Sequence, residues 1–287
     1  FVQPASGDDG CALGNALIGW TSILGKPRKW RMRSSYAGRS YSSDEIAKAI
    51  KKYRHWCEPV ETDDTLETTS KLLSEKQIVG WFQGGSEFGP RSLGHRSILS
   101  DARSADMRDI LNEKVKHREP FRPFAPSILE DHCSEYFDLD CPSPYMLLIA
   151  DVKKPDVIPA ATHVDDTARV QTVNREDNGI FYDLIEKFHS RTGVPVLLNT
   201  SFNVAGEPIV ETPEDAIRCF LCTEIDYLVL EDVLVRKFPI RSAVLRGWPQ
   251  SVKRRGRMKL SKLVSRLPVI SRLRHALRPT ANVKIPG

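Results

Sequence analysis

Two arginines, Arg91 and Arg96, lie in a run rich in glycine, proline and serine between Glu87 and Asp101. Glycine lets a backbone approach a ligand closely, and the planar guanidinium group of arginine binds phosphate or carboxylate. A second basic block comprises Lys114, Lys116, His117, Arg118 and Arg122. Together the two blocks predict a pocket for a highly charged anion. The alternative is a solvated basic loop, because most charged side chains face water.

The elements around these blocks suit such a pocket. The apolar run 78–82 predicts a buried strand that leads into the arginine-rich segment, and α/β proteins place phosphates in this order. The lysine and the spacing do not match a Walker A motif. A helical apolar pattern predicts a helix over 104–117. Three prolines between 120 and 126 then predict a stiff, extended segment that holds Arg122 in place.

Polar side chains also occur on two predicted strands. From Thr167 the chain alternates, so Arg169 and Gln171 share one strand face. That face is either a polar groove or an exposed sheet surface. The apolar run 194–198 predicts a buried strand, and polar residues 199–203 follow it. Ligands commonly bind at such a strand end in α/β sheets.

Further helices are predicted at 42–53, 65–75, 178–191 and 213–223, and a strand at 227–230. The first of these begins with a capping box formed by Ser42 and Glu45. Near the start of the chain, Asp8 or Asp9 caps a small-residue helix or, alternatively, contributes to a metal or nucleotide site. The mixture of helices and strands predicts an α/β (mixed α+β) fold.

The 287 residues are 40% hydrophobic and 28% charged, as in a soluble globular protein, and contain no apolar run that predicts a membrane span. The net charge of +5 hides an asymmetry. Residues 241–287 contain thirteen Lys and Arg and no Asp or Glu, so the other residues carry 29 basic and 37 acidic side chains. This tail is predicted to be amphipathic or disordered. An anionic membrane, nucleic acid and a partner protein are alternative contacts for it.

Six cysteines do not form a dense disulfide pattern in a chain of this length. Cys219 and Cys222 have metal-like spacing, but they lie in an apolar helical pattern without a second Cys or His pair, which favours core cysteines over zinc. Reduced thiols and a cytoplasmic location, with peripheral membrane contact through the tail, are the resulting expectations. The first residue is Phe1, which predicts that this is not a native translation start.

Five blocks of the sequence, in order, resemble the ATP-dependent O-carbamoyltransferases of nodulation-factor and antibiotic biosynthesis. The resemblance covers roughly residues 1–235, and its blocks are 88–99, 116–126, 162–172, 196–203 and 206–210. It implies a YrdC-like twisted open sheet with flanking helices at 36–240. It also implies that 1–35 is the end of an actin-like ATPase domain related to the tRNA-threonylcarbamoylating metalloproteins, and that 241–287 is a basic tail.

The resemblance implies that Asp8 is a ligand for a transition metal such as Fe²⁺. The family's histidine ligands are absent from this chain, so the metal site requires the missing N-terminal domain. A separate polypeptide of that type is therefore an expected partner, and a homodimer is a further alternative. Without that domain, the chain is expected to be incomplete for full carbamoyl transfer.

The implied chemistry is activation of carbamoyl phosphate by ATP, with Mg²⁺, to carbamoyl adenylate, followed by transfer to a hydroxyl group. The implied catalytic residues are Lys116, Arg169, Asn199 and Ser201. The implied binding set for ATP and carbamoyl phosphate is Arg91, Arg96, Lys116, Arg118, Arg122, Arg169, Gln171, Asn199, Thr200 and Ser201. Within it, Asn199 and Ser201 are expected to position the carbamoyl or adenylate end.

Two other functions are open at this point. One is a non-catalytic remnant that binds RNA, another anion or a membrane through the basic tail. The other is synthesis of threonylcarbamoyl adenylate for tRNA, against which the block 88–99 argues. For the acceptor, a lipochitooligosaccharide nodulation factor is the leading prediction, and an antibiotic such as an aminoglycoside is its rival.

Overall fold

The structure is a computed structural model that describes residues 2–29, 32 and 34–238. These residues belong to one compact unit that ends at Phe238. The predicted domain boundary at residue 35 stays a prediction, and the predicted basic tail lies outside the described residues. No helix in the described ranges has the length and apolar character needed to cross a membrane.

The strands of the described residues form one mixed sheet in the order β1-β9-β8-β2-β3-β7-β4-β6-β5. Two neighbouring pairs, β2 with β8 and β4 with β6, are parallel, and the remaining pairs are antiparallel. The strand bounds are β1 Cys57–Pro59, β2 Val79–Phe82, β3 Arg96–Asp101, β4 Ala125–Leu129, β5 Leu148–Asp151, β6 Thr167–Val173, β7 Val196–Ser201, β8 Tyr227–Leu230 and β9 Val233–Lys237. The predicted fold class, a mixed α/β open sheet with flanking helices, is confirmed.

Side chains and backbone groups near the ends fix several helices in place. The capping box predicted at the start of the second helix is confirmed, with the Ser42 N–H donating to Glu45 Oε2 at 3.0 Å and the Glu45 N–H donating to Ser42 Oγ. Thr212 and Asp215 form a second capping box. The α-helices are α1 Cys11–Ile18, α2 Ser43–Lys52, α3 Thr65–Ser74, α4 Met107–Leu111, α5 Cys133–Tyr136, α6 Gly179–Thr192 and α7 Pro213–Cys222.

Both faces of the sheet are covered, because alternate residues of the central strands enter different apolar clusters. On β2, Val79 and Trp81 pack in the cluster that α3 and α6 complete, whereas Phe82 packs in the cluster that contains α2 and α7. Burying one such side chain stabilises a fold by about 1.5–3 kcal/mol. This two-sided burial explains why β2 and the first three residues of β7 read as continuous apolar runs in the sequence.

Several strands were not predicted from the sequence, namely β1, β3, β4, β5 and β9. The arginine-rich run is a loop only as far as His95, because Arg96 begins β3. The strand predicted at 194–198 runs instead from Val196 to Ser201, so the polar residues 199–201 lie within it. The buried strand predicted at 78–82 is confirmed as β2 and leads into the loop of residues 83–95. That loop connects β2 to the antiparallel strand β3 and not to a helix.

The helix predicted at 104–117 is also different. It is α-helical only from Met107 to Leu111 and continues as a wider π-helical turn, Asn112–Lys116. His117 ends this turn in a left-handed conformation, with a φ of 49°. The proline-rich segment begins with a turn at Pro120 and Phe121, and its last proline lies in β4. The sequence predicted that this segment is extended throughout, and that prediction is wrong for its first residues.

Candidate functional site

A cavity of about 360 Å³ lies where five separate segments of the chain meet. Its arginines come from the loop before β3, the loop before β4 and the strand β6, and its amide and hydroxyl groups come from β7. The lining residues are Pro90, Arg91, Ser92, Arg118, Arg122, Pro123, Phe124, Ala125, Met146, Ile149, His163, Arg169, Asn199, Thr200 and Ser201. The structure thus brings together seven of the ten residues that were predicted to bind ATP and carbamoyl phosphate.

Arg91 and Arg169 are like charges in a partly buried position. Burial and the neighbouring charge of Arg91 lower the pKa of Arg169 to about 10. The Nε atoms of both guanidinium groups are buried and have no hydrogen-bond partner among the described residues. Buried polar groups are normally satisfied, so two unpaired donors on guanidinium groups that line one cavity are exceptions that need an explanation.

A second arginine pair comes from the loop that precedes β4. Arg118 donates from Nε to Asn112 Oδ1 at 2.7 Å and lies over the ring of Phe124, 4.7 Å from its centroid. Burial, and then the nearby charge of Arg122, lower the pKa of Arg118. Asn112 also donates to the carbonyl of Arg122 at 2.9 Å, so this one buried amide supports both arginines.

No ion pair connects any of the four cavity arginines to a carboxylate in the described part of the chain. The lining itself contains neither Asp nor Glu. Concentrated positive charge without protein counter-charge attracts anions and is costly while the cavity holds none. The electrostatics of the site therefore suit a polyanion.

Lys116 does not line the cavity but lies next to Ser201, which does. Its Nζ donates to Ser201 Oγ at 3.1 Å and to Asn203 Oδ1 at 2.8 Å, and its side chain is 4% exposed. Burial, followed by the charge of Arg118, lowers the pKa of Lys116 to about 7. Lys116 has no carboxylate partner in the described residues, and its contact with the cavity lining is the one to Ser201.

A hydrogen-bond network under the cavity orients Asn199. Its Nδ2 donates to Gln171 Oε1 at 3.0 Å and to Ser127 Oγ at 3.1 Å, while its Oδ1 is buried and without a partner in the described residues. The hydroxyl oxygen of Ser92, also at the cavity, is likewise buried and unpaired there. Gln171 is 2% exposed and donates to the carbonyl of Leu93, so the exposed-surface interpretation of this strand face is wrong.

Three residues of the predicted binding set do not line the cavity, namely Arg96, Lys116 and Gln171. Lys116 and Gln171 bond to residues that do, as described above. Arg96 is fully buried elsewhere, with its guanidinium group 3.6 Å from the centroid of the Phe82 ring and donating to backbone carbonyls. Its Nη1 and Nη2 atoms donate to the protein's own backbone, and its Nε is buried and without a partner in the described residues. Because Arg96 does not line the cavity, we do not include it among the groups that contact a ligand.

The described residues offer little to a metal ion. Asp8 is exposed in a short 3₁₀ turn, and no group of three or more His, Cys, Asp or Glu side chains in the described ranges has metal-binding geometry. Because the cavity lining has no carboxylate, the protein would offer Mg²⁺ only hydroxyl and amide oxygens there, which is a poor fit. We therefore assign no step to either metal.

The six cysteines are free thiols in the structure. Cys219 is buried, and burial raises the pKa of its thiol to about 12, as expected for a core cysteine. Cys222 is exposed, so the prediction of a core position is wrong for this residue. Cys219 and Cys222 are three residues apart on α7. This spacing makes them neighbours on the helix but does not give both side chains the same burial.

Sequence reasoning missed several residues of the site. His163, Met146 and Ile149 line the cavity, and Asn112 and Ser127 support it. His163 lies in the block 162–172, close before Arg169, which was the only available signal. Met146 and Ile149 belong to the unpredicted region of β5. Their contribution depends on pairing between β5 and β6, which is a long-range property of the fold.

Comparison with known proteins adds the family. Residues 70–237 match the family model described as carbamoyltransferase C-terminus. The nodulation protein NolO of Bradyrhizobium diazoefficiens is 44% identical over 255 residues, which are 86% of this chain and 46% of NolO. The 3'-hydroxymethylcephem-O-carbamoyltransferase of Amycolatopsis lactamdurans is 37% identical over 218 residues, 76% of this chain and 40% of that enzyme.

Among solved structures, HypF of T. kodakarensis is similar with a TM-score of 0.43 and 18% identity, over 63% of this chain and 22% of HypF. That similarity is too distant to carry an argument about the site. The chain spans less than half of the length of the two curated relatives. On the strength of the matched family model, the chain belongs to the carbamoyltransferase C-terminus family.

Proposed function

We propose that this chain binds ATP and carbamoyl phosphate in the arginine-lined cavity and forms carbamoyl adenylate, the activated donor for O-carbamoylation of a small-molecule hydroxyl. The observation that carries the proposal is the set of four arginines without a carboxylate, two of them with buried, unpaired Nε donors. A triphosphate beside a carbamoyl phosphate brings several negative charges together. Their mutual repulsion has to be offset before the two molecules can react.

In this mechanism Arg91, Arg122 and Arg169 neutralise phosphate oxygens. Water cleaves carbamoyl phosphate to carbamate and inorganic phosphate. A carbamate oxygen then attacks the α-phosphorus of ATP, so that carbamoyl adenylate forms and pyrophosphate leaves. Charge-assisted hydrogen bonds of this kind contribute about 1.5–3 kcal/mol each. They are most effective when they are preorganised around developing charge in a site with little water. Arg118 adds positive charge at the same wall of the cavity.

Lys116 and β7 are assigned to the carbamoyl end. Asn199, whose Oδ1 is buried and unpaired, is suited to accept a hydrogen bond from the carbamoyl amide. The Ser201 hydroxyl accepts from Lys116 Nζ at 3.1 Å and donates to Asn203 Oδ1 at 2.7 Å, so its remaining lone pair is suited to accept a hydrogen bond from the carbamoyl amide. Thr200 supplies a further hydroxyl to the lining.

The acceptor is proposed from the relatives' names. Nodulation proteins and a cephem O-carbamoyltransferase are among them, so a lipochitooligosaccharide nodulation factor or an antibiotic is the proposed acceptor class. The chain spans less than half of these relatives. We therefore propose that complete transfer requires sequence corresponding to the rest of their length, supplied in the same or a separate polypeptide.

The test is exchange of labelled pyrophosphate into ATP, measured with and without carbamoyl phosphate. We expect exchange only with carbamoyl phosphate, and a loss of about tenfold to 150-fold in Lys116→Ala and Arg169→Ala, from the hydrogen-bond free energies above. Arg175→Ala is the matched control, because Arg175 lies on the surface and pairs with Glu186. Absence of exchange and of binding of either ligand by folded protein would overturn the proposal.

A further inference from the structure

The loop that carries Arg91 and Ser92 to the cavity is held by a glutamate. Glu87 Oε1 accepts hydrogen bonds from the backbone N–H groups of Leu93 at 2.8 Å, His95 at 2.8 Å and Arg96 at 3.1 Å. Hydrogen bonds to an ionised acceptor are stronger than those between neutral groups. One side chain therefore satisfies three backbone donors where the loop ends and β3 begins.

Arg96 holds the same loop by its carbonyl groups. Its guanidinium group donates to the carbonyls of Gln83 at 2.6 Å, Gly84 at 2.9 Å and His95 at 3.1 Å. The side chain is fully buried and has no carboxylate within ion-pair distance in the described structure. Burial lowers its pKa, and the charge of Glu87 is the largest opposing influence.

Glu87 and Arg96 thus divide the loop backbone between them, one binding N–H groups and the other binding carbonyls. We refer to these two residues as the loop clamp. The chain between Glu87 and its first partner, Leu93, contains Arg91 and Ser92, both of which line the cavity. Gly94, between two of the Glu87 donors, has a φ of 107°, and a Cβ added there would lie 2.3 Å from the ring of Phe181. The loop is therefore tightly constrained.

We propose that Glu87 and Arg96 are positioning residues that fix Arg91 at the cavity wall without contacting the ligand. The inference rests on the proposed function for the identity of the natural ligand only. Inorganic pyrophosphate is a suitable probe, because the affinity of four arginines for a trivalent or tetravalent anion depends on where their side chains are placed. The loop clamp changes the affinity for the anion by fixing the position of Arg91. It does not fix the segments that carry the other three arginines.

The first experiment compares Glu87→Gln, Glu87→Asp and Glu87→Ala. Gln keeps an acceptor oxygen at the same reach, whereas Asp keeps the charge and shortens the reach. We expect Gln to weaken pyrophosphate binding by less than about threefold, and Asp and Ala to weaken it by about tenfold, from the loss of hydrogen bonds. Amide hydrogen exchange of Leu93, His95 and Arg96 should accelerate in Asp and Ala only. Unchanged exchange and affinity in all three variants would overturn the clamp.

The second experiment is a double-mutant cycle. If the clamp acts through Arg91, Glu87→Asp in an Arg91→Ala background should cost no further affinity, whereas in an Arg122→Ala background its cost should be undiminished. Equal costs in both backgrounds would contradict positioning and indicate general destabilisation. Arg96→Lys, which cannot reach three carbonyls at once, should show the same dependence on Arg91.

The outcomes separate the two proposals. Pyrophosphate binding that depends on Glu87 through Arg91, without carbamoyl-phosphate-dependent exchange, supports the clamp and defeats the proposed function. Exchange activity that persists at the wild-type rate in Glu87→Asp, with unaltered amide exchange, supports the function and defeats the clamp. Wild-type protein that binds no pyrophosphate defeats both.

Discussion

Two clusters of cations in this protein lie in opposite surroundings. On the surface formed by α3 and α6, Lys187 pairs with Asp64 and Glu67, and Arg191 pairs with Glu67. At the cavity, Arg91, Arg118, Arg122 and Arg169 have no carboxylate partner within the described ranges. The first cluster is neutralised by the protein, and the second is left for another molecule to neutralise.

The presence or absence of carboxylate partners distinguishes a candidate binding site from an ordinary basic surface. Exposed ion pairs contribute little to stability and form wherever long side chains of opposite charge are near each other. Partly buried arginines that face each other without counter-charge are unfavourable in the free protein. A fold retains them where a ligand compensates the cost, so the missing carboxylates are as informative as the arginines present.

The largest effect on ligand affinity is expected when two charges are removed from one cluster at a time. Arg91→Ala combined with Arg169→Ala should abolish measurable binding of carbamoyl phosphate by calorimetry, because two charge-assisted contacts of about 1.5–3 kcal/mol each are lost. The matched pair Lys187→Ala and Arg191→Ala should leave the dissociation constant within about twofold. Similar losses in both double variants would remove the distinction between the clusters.

The affinity for carbamoyl phosphate is also expected to depend on pH, through Lys116 beside the cavity. The unliganded pKa of Lys116 is about 7, so its positive charge is present below that pH and is lost above it. An anionic ligand favours the ammonium form, so affinity for carbamoyl phosphate should fall above pH 7 by up to about tenfold per pH unit, with proton uptake on binding near neutrality. Calorimetry in two buffers of different ionisation enthalpy measures this uptake. Lys116→Met should show neither the slope nor the uptake, and a slope that persists in that variant would count against Lys116.

The smallest expected effect is on stability, and its sign differs between the clusters. Arg169→Met should raise the free energy of unfolding of the unliganded protein by about 1 kcal/mol, since it removes an uncompensated charge beside Arg91. Arg191→Met should lower it by about 0.2–1 kcal/mol, because a surface pair with Glu67 is lost. Urea denaturation measures both. A destabilising effect of Arg169→Met would show that the cavity arginines support the fold themselves.

Much of the fold was accessible from local patterns in the sequence. The helices α2 and α7 were predicted from the capping residues Ser42 and Thr212, and α3 and α6 were predicted from their apolar residues. The missed strands lack such signals. β1 and β5 are sheet edges of three and four residues, and β3 contains Arg96, two serines and Asp101, all buried. Their structure comes from pairing with distant strands, which local sequence does not reveal.

The candidate site divides in the same way. The arginines of the cavity were recognisable because they lie in motif blocks, and the structure places Arg91, Arg118, Arg122 and Arg169 around one space. Arg96 was indistinguishable from Arg91 in sequence, since both lie in the same glycine-rich run. Only the backbone path separates the two. Arg91 places its guanidinium group at the cavity, whereas Arg96, five residues later, places its own against the carbonyls of the loop.

The π-helical turn Asn112–Lys116 gives this site an unusual evolutionary sensitivity. Such a turn holds one more residue than an α-helical turn, and here both of its ends, Asn112 and Lys116, are buried while Glu113 and Lys114 face solvent. Loss of a single codon from its exposed side would restore ordinary helical winding and change the spacing between Asn112 and Lys116, which bond to Arg118 and Ser201. A deletion on the outside of the protein would therefore reach the cavity through both of these contacts.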